Sequence, residues 1–293
     1  MVEGRITKAL SGFYYVQSGD DVYACRGRGL FRNQNITPLV GDFVDFDIRD
    51  GMEGYLINIK PRTNELIRPP IANVDRAFII SSAIEPSFST LLLDRFLVLI
   101  ESKDIQPIII ITKMDVLSEQ ERESIENHVQ AYLDIGYKVE KVSSKEPFDI
   151  KGMEKHFNEG VSVIAGQSGV GKSSLLNALK PELQIKTDDI SKSLGRGKHT
   201  TRHVELLQLF GGLVADTPGF SALEFNEIDL DELGDCFPEI RDRKGECKFR
   251  GCMHNKEPKC AVKQAVELGD ISQFRYDHYL NFYEEIQSRK PRY

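Results

Sequence analysis

The chain has 293 residues, 40% hydrophobic and 28% charged. That is the composition of a soluble globular protein with length for about two domains, and it excludes a mostly disordered chain. Lysine and arginine number 38 against 45 aspartates and glutamates, a net charge of −7, so no global basic field advertises a nucleic-acid partner. The longest apolar runs, such as residues 107–111 (PIIII), fall far short of the ~18–20 residues of a membrane span. The opening stretch MVEGRITKALSGFYYV is not a secretory signal. No membrane contact and a cytoplasmic location are therefore expected. Cysteines number 5, an odd count, and residues 247–260 hold three of them. One metal site in a reducing compartment suits this better than a disulfide framework.

Residues 1–68 read as all-β. The segments VYAC (22–25), DFVDFDI (42–48) and GYLINI (54–59) are rich in β-formers, and Ser18-Gly19-Asp20, Gly41-Asp42 and Asp50-Gly51 are turn signals between them. About five short strands in this length predict a small closed barrel of the OB type. Residues 62–75 (RTNELIRPPIANVD) read as a linker, in which Pro69-Pro70 stops regular structure. Residues 69–223 then alternate buried strands (77–81, 107–112, 138–143, 161–165) with helices (91–100, from Ser118 to about 134, 172–179), and segments 204–210 and 213–216 close the set. Ser118 with Glu121 forms a capping box. Apolar strands between helices predict a parallel sheet covered on both faces. Residues 224–293 form a third region, acidic over 224–239, basic over 241–263, with a helix near 272–288 and a basic tail.

The strongest motif is Gly166-Gln167-Ser168-Gly169-Val170-Gly171-Lys172-Ser173, followed by Ser174. It matches G-x4-G-K-[ST] between a strand and a helix, the setting of a phosphate loop. Its backbone N–H groups and the helix N-terminus suit phosphate oxygens. Lys172 would reach the β- and γ-phosphates and the Ser173 hydroxyl would hold Mg²⁺. Asp216-Thr217-Pro218-Gly219 follows a strand; Asp216 suits a Mg²⁺-bound water and the Gly219 amide a γ-phosphate. Thr112-Lys113-Met114-Asp115 follows another. The Asp115 carboxylate can accept both guanine N1–H and the 2-amino group, donors adenine lacks, while Lys113 lays its stem along the base. Ser143-Ser144-Lys145 can add a backbone N–H to the base oxygen. Cys247, Cys252, His254 and Cys260, in the pattern C-x4-C-x-H-x5-C, fit a closed, structural tetrahedral Zn²⁺.

The base motifs precede the phosphate motifs, the reverse of Ras-like GTPases: a circular permutation of the same sheet. With the barrel in front and the cysteine cluster behind, the whole chain resembles the RsgA family of circularly permuted GTPases that depend on the small ribosomal subunit. The motifs T-K-M-D, G-Q-S-G-V-G-K-S-S, G-R-G-K-H-T-T, D-T-P-G-F and the cysteine–histidine pattern carry the resemblance. Thr112 stands where many GTPases have Asn, and Thr lacks the amide that would contact base N7 and brace the phosphate loop.

Segment 195–201 (GRGKHTT) reads as a loop that orders with GTP. Thr200 or Thr201, with Thr201 favoured, would complete the Mg²⁺ shell. Phe220 occupies the place where Ras-like enzymes carry a water-orienting Gln, so intrinsic hydrolysis is expected to be slow and partner-stimulated. His199 is a candidate for positioning water by the resemblance; a solvated or RNA-contacting His reads equally well. Basic clusters at Arg26, Arg28 and Arg32, at Lys192, Arg196, Lys198 and Arg202, and at Lys244, Lys248 and Arg250 read as solvated surface or as RNA contacts. The resemblance implies small-subunit rRNA as partner, a role in late small-subunit maturation, and GTP hydrolysis coupled to release. A monomer is expected. Competing readings are a small-molecule P-loop kinase, disfavoured by T-K-M-D, and a non-hydrolysing RNA-binding module.

Overall fold

A computed structural model describes residues 1–27, 31, 36–49, 51–143, 150, 152–183, 204–216 and 223–289. Five strands come first: β1 (Val2–Leu10), β2 (Phe13–Ser18), β3 (Asp21–Arg26), β4 (Phe43–Ile48) and β5 (Glu53–Ile59). They pair in the order β1-β2-β3-β5-β4, and Val2 opposite Phe46 with Arg5 opposite Phe43 closes β4 onto β1. Closure removes the free edges that a small sheet would otherwise expose. Alternation sets the faces: Val44 and Phe46 turn inward while Phe43 stays exposed. Ile6, Val16, Cys25, Val44, Phe46 and Leu56 fill the interior with no exposed surface. The result is the expected five-stranded, OB-like barrel.

The expected linker is not irregular. It contains a two-stranded hairpin, β6 (Glu65–Ile67) and β7 (Pro70–Ala72), with Leu66 opposite Ile71. Pro70 opens its strand, a place where a missing N–H is tolerated. The Asn64 side chain clamps the hairpin ends, donating to Val74 O and accepting from Val74 N, both at 2.9 Å.

The next elements are β8 (Arg76–Ser82), α1 (Thr90–Glu101), β9 (Gln106–Thr112), α2 (Glu119–Ile135), β10 (Lys138–Val142), β11 (Val161–Ala165), α3 (Lys172–Leu179), β12 (Glu205–Leu209) and β13 (Gly212–Asp216). Ser118 caps α2 as expected, with Glu121 completing the capping box. The sheet order is β10-β9-β8-β11-β13-β12. The first five strands run parallel. The expectation of an all-parallel set fails at β12, which pairs antiparallel with β13 across the turn at Phe210-Gly211. Apolar runs mark burial but carry no strand direction. Strand β12 also meets the barrel: Lys8 of β1 lies opposite Glu205 and its Nζ reaches Glu205 Oε2 at 2.8 Å. One sheet thus runs through both units.

The C-terminal part contains α4 (Pro238–Arg241), α5 (Ala261–Leu268) and α6 (Gln273–Gln287). Phe225, Leu233, Phe237, Val262, Tyr279 and Phe282 build a second apolar core that includes Val98 of α1. Beside it sits a charged cluster with no exposed surface at Asp94 or Arg275. Arg275 pairs with Asp94 at 2.5 Å and with Glu239 at 2.7 Å. Asp94 also accepts from Tyr132 Oη at 2.6 Å and contacts His278 Nδ1 at 2.5 Å. These charges fasten α6 to α1, α2 and α4. Among the described residues no helix is long and apolar enough to cross a membrane.

Candidate functional site

The motifs converge because every motif loop with a described beginning leaves the carboxyl end of a parallel strand: Lys113 follows β9, Ser143 follows β10, Gly166 follows β11, and Asp216 ends β13. In open α/β sheets this edge is where ligands bind. Register brings Thr112 level with Ser82 of β8 and Val142 of β10.

The phosphate loop needs glycine at two places for different reasons. A Cβ on Gly166 would lie 2.3 Å from Ile80 O, so only glycine lets the loop leave β11 against β8. Gly171 sits at φ 94° and leads into α3 without a side-chain cap, leaving the first-turn N–H groups for a ligand. Gln167, Ser168 and Gly169 are exposed, whereas Val170, Lys172 and Ser173 are buried and Ser174 is half-buried. Lys172 Nζ donates to Gly166 O at 2.9 Å and to Gln167 O at 2.7 Å. Burial lowers its pKa to about 8. The ammonium is thus held inside a loop whose natural complement is an anion.

The base motif is physically joined to this loop. Thr112 Oγ1 donates to Val170 O at 2.7 Å. Thr112 lacks the amide found at this place in many GTPases, and here its hydroxyl meets the phosphate loop directly. Lys113, at φ 61°, places its ammonium on Gly169 O at 3.2 Å and on Glu85 O. Met114 is buried and anchors the short turn, residues Met114–Val116, that carries Asp115 at the surface. Ser143 is buried one strand over. Ser144, Lys145, His199, Thr200, Thr201, Gly219 and Phe220 lie outside the described residues, as do Arg28, Arg32, Lys192, Arg196, Lys198, Arg202 and the end of the basic tail.

Cys247, Cys252, His254 and Cys260 form a second centre, with all ligand atoms within 4.8 Å of one another. His254 Nδ1 lies 3.6 Å from Cys247 Sγ and 3.3 Å from Cys260 Sγ, and the Cys247 and Cys260 sulfurs are 3.9 Å apart. A tetrahedron with ~2.3 Å metal–sulfur bonds has edges of roughly 3.7 Å, so the donor set is compatible with zinc. Burial pushes the Cys252 thiol up to about 12 and raises Cys260, and it lowers His254. Without a cation the pocket favours neutral groups; a dication reverses this by stabilising thiolates. Hydrogen bonds from neighbouring residues hold the cluster's backbone. Tyr276 and Tyr279 of α6 donate to His254 O at 2.6 Å and to Met253 O at 2.7 Å. The Glu257 carboxylate accepts from the N–H groups of Met253 and Asn255, both at 2.9 Å. Cys25 and Cys236 are buried and pack as small apolar residues in the barrel core and in the second core.

The Asp94–Arg275–Glu239 cluster escaped the sequence reading, although a signal existed. Asp94 is the lone acid on the buried face of an apolar helix, and such a charge implies a buried partner. The partner itself, far along the chain, had no local mark.

Comparison with known proteins follows the same outline. A family model described as RsgA GTPase matches residues 59–226 and one described as RsgA N-terminal domain matches residues 3–56. The chain is 66% identical over its full length, and over 100% of the relative, to "Small ribosomal subunit biogenesis GTPase RsgA 2" of Oceanobacillus iheyensis. It is 60% identical, again with both chains covered at 100%, to "Small ribosomal subunit biogenesis GTPase RsgA" of Bacillus subtilis. Among solved structures it resembles YloQ, described as a circularly permuted GTPase, at TM-score 0.87 and 56% identity, covering 100% of this chain and 97% of that one. It also resembles YjeQ from Thermotoga maritima, at TM-score 0.88 and 35% identity, with 99% of each chain covered.

Proposed function

This chain belongs to the RsgA GTPase family, and we propose that it hydrolyses GTP as an assembly factor in late maturation of the small (30S) ribosomal subunit, with hydrolysis stimulated by the subunit and coupled to release. The observation that carries the nucleotide part is the contact of Thr112 Oγ1 with Val170 O and of Lys113 Nζ with Gly169 O. It joins a guanine-reading segment to a phosphate cradle that follows it in the chain. The names of the relatives support the ribosomal part.

In this reading Asp115 accepts guanine N1–H and the 2-amino group, Lys113 lays its stem along the base, and the segment Ser143, Ser144 and Lys145 gives a backbone N–H to the base oxygen. Residues 166–174 cradle the phosphates. Lys172 exchanges the Gly166 and Gln167 carbonyls, its present partners, for phosphate oxygens. Ser173 and Thr201, with Thr200 the alternative, hold Mg²⁺, which neutralises charge on the β- and γ-phosphates. Asp216 and Gly219 serve the metal water and the γ-phosphate, and His199 positions the attacking water. One Zn²⁺, held by Cys247, Cys252, His254 and Cys260, ties the C-terminal region together. Three units, 1–68, 69–223 and 224–293, are supported by the closed barrel, the α/β sheet and the separate second core. The protein works as a cytoplasmic monomer on small-subunit rRNA. Steady-state GTP turnover with and without purified small subunits tests the proposal, with Lys172→Ala as the inactive control. Turnover that subunits fail to raise refutes it.

A further inference from the structure

Between the first two ligands of the cysteine–histidine cluster the chain reads Lys248-Phe249-Arg250-Gly251. Cluster residues fix both ends of this tip, and Gly251 turns it at φ 70°. Lys248, Phe249 and Arg250 are all exposed, and Phe249 keeps 45% of its surface open. Among the described residues one other phenylalanine is comparably open, Phe43 at 42%, and the Arg5 guanidinium covers its ring at 4.1 Å. The Lys248 ammonium lies 5.5 Å from the centre of the Phe249 ring.

The surrounding charges divide into two groups. Towards the base of the cluster, Arg241 pairs with Glu101 at 3.4 Å, Arg243 pairs with Asp270 at 3.3 Å, and Lys244 pairs with Asp235. At the tip, Lys248, Arg250, Lys256 and Lys259 make no ion pair with any described residue. The Lys248 backbone N–H donates to Lys259 O at 3.4 Å, which sets these two basic residues side by side along the chain backbone. The Glu257 carboxylate is already committed to the Met253 and Asn255 N–H groups.

An apolar protein pocket would accept the ring but would leave the cations facing a surface that cannot neutralise them. A single-stranded nucleic acid satisfies both features, because an unstacked base covers an aromatic face while its flanking phosphates meet lysine and arginine. We propose that Phe249 stacks on an unpaired RNA base while Lys248, Arg250 and Lys259 contact the adjoining phosphates. Naming that RNA as small-subunit rRNA rests on the assembly reading; the stacking itself does not.

The chain contains 0 tryptophans, so Phe249→Trp installs a single indole reporter. The zinc-loaded full-length protein is titrated with polyuridylate, with protein-free small-subunit rRNA and with intact subunits. The indole emission should be quenched by both RNAs, and Phe249→Ala should lose about tenfold in RNA affinity with subunit-free GTP turnover unchanged. An unquenched indole, or unchanged affinity in Phe249→Ala, overturns the proposal. A spectral change with intact subunits but with neither RNA overturns it in favour of a protein partner. Quenching by polyuridylate in a protein that binds no small subunits supports the stacking and removes the assembly reading.

Discussion

Replacing Thr112 by valine tests whether the two recognition segments act as one pocket. The change preserves shape and removes only the hydroxyl. Its hydrogen bond to Val170 O spans 2.7 Å between residues with 7% and 2% exposed surface. The next acceptor, Ser81 O, is 3.4 Å away, so the one hydroxyl proton belongs to the phosphate loop. Leaving a buried carbonyl without its donor costs about 1–3 kcal/mol. If the bond holds the loop in its nucleotide-ready shape, about half of that cost appears as weaker binding, roughly a twofold to twelvefold rise in Kd for GDP. Calorimetric titration of wild type, Thr112→Val and Thr112→Ser reads the effect. Serine keeps the hydroxyl and should bind within about twofold of wild type. If Thr112→Val binds GDP as tightly as wild type, the brace plays no part in recognition and the reasoning fails.

If Lys172 meets the phosphates as proposed, its lowered pKa, about 8, makes nucleotide affinity depend on pH. Phosphate binding requires the ammonium, so affinity should fall about fourfold from pH 7 to about pH 8.5; a flat profile contradicts the burial argument. The sign for folding is opposite. A lysine whose folded pKa lies below its unfolded value destabilises the empty protein while protonated, so this contribution to stability should improve as pH rises from about 8 towards 10.5. Arg275→Met leaves the Asp94 and Glu239 carboxylates without their buried cation and should cost about 3–5 kcal/mol in denaturant unfolding; a loss below about 1 kcal/mol would mean that the cluster contributes little. Chelation, or Cys247→Ser, should remove one equivalent of zinc and lower the melting temperature; full metal retention in Cys247→Ser contradicts the ligand assignment.

What could be read from the sequence was what local pattern encodes. The buried strands β8, β9 and β11 announce themselves as apolar runs, and Ser118 with Glu121 marks the start of α2 through hydrogen bonds inside one turn. The phosphate loop and the cysteine–histidine cluster are legible because their spacing is local. Features set by contacts across the chain were not. The β6–β7 hairpin looked like a linker because Pro69-Pro70 dominates its composition, yet it is held by tertiary bonds, including Asn73 Nδ2 to Gly41 O at 3.1 Å. The antiparallel run of β12 could not be read from periodicity, which is the same in either direction. The hydroxyl of Thr112 looked like a lost amide because its acceptor, Val170 O, lies 58 residues away in the chain.

The central claim is that one pocket reads guanine and triphosphate through segments placed in permuted order. Asp115→Asn tests it most directly. An amide keeps one acceptor for N1–H but turns a donor where the carboxylate only accepts, so it faces guanine's 2-amino group donor to donor and suits xanthine, which carries an oxygen at position 2. Competition of GTP against XTP for the variant should show lost preference for GTP and a gain for XTP. A variant that still selects GTP over XTP as wild type does would place base recognition elsewhere and contradict the account.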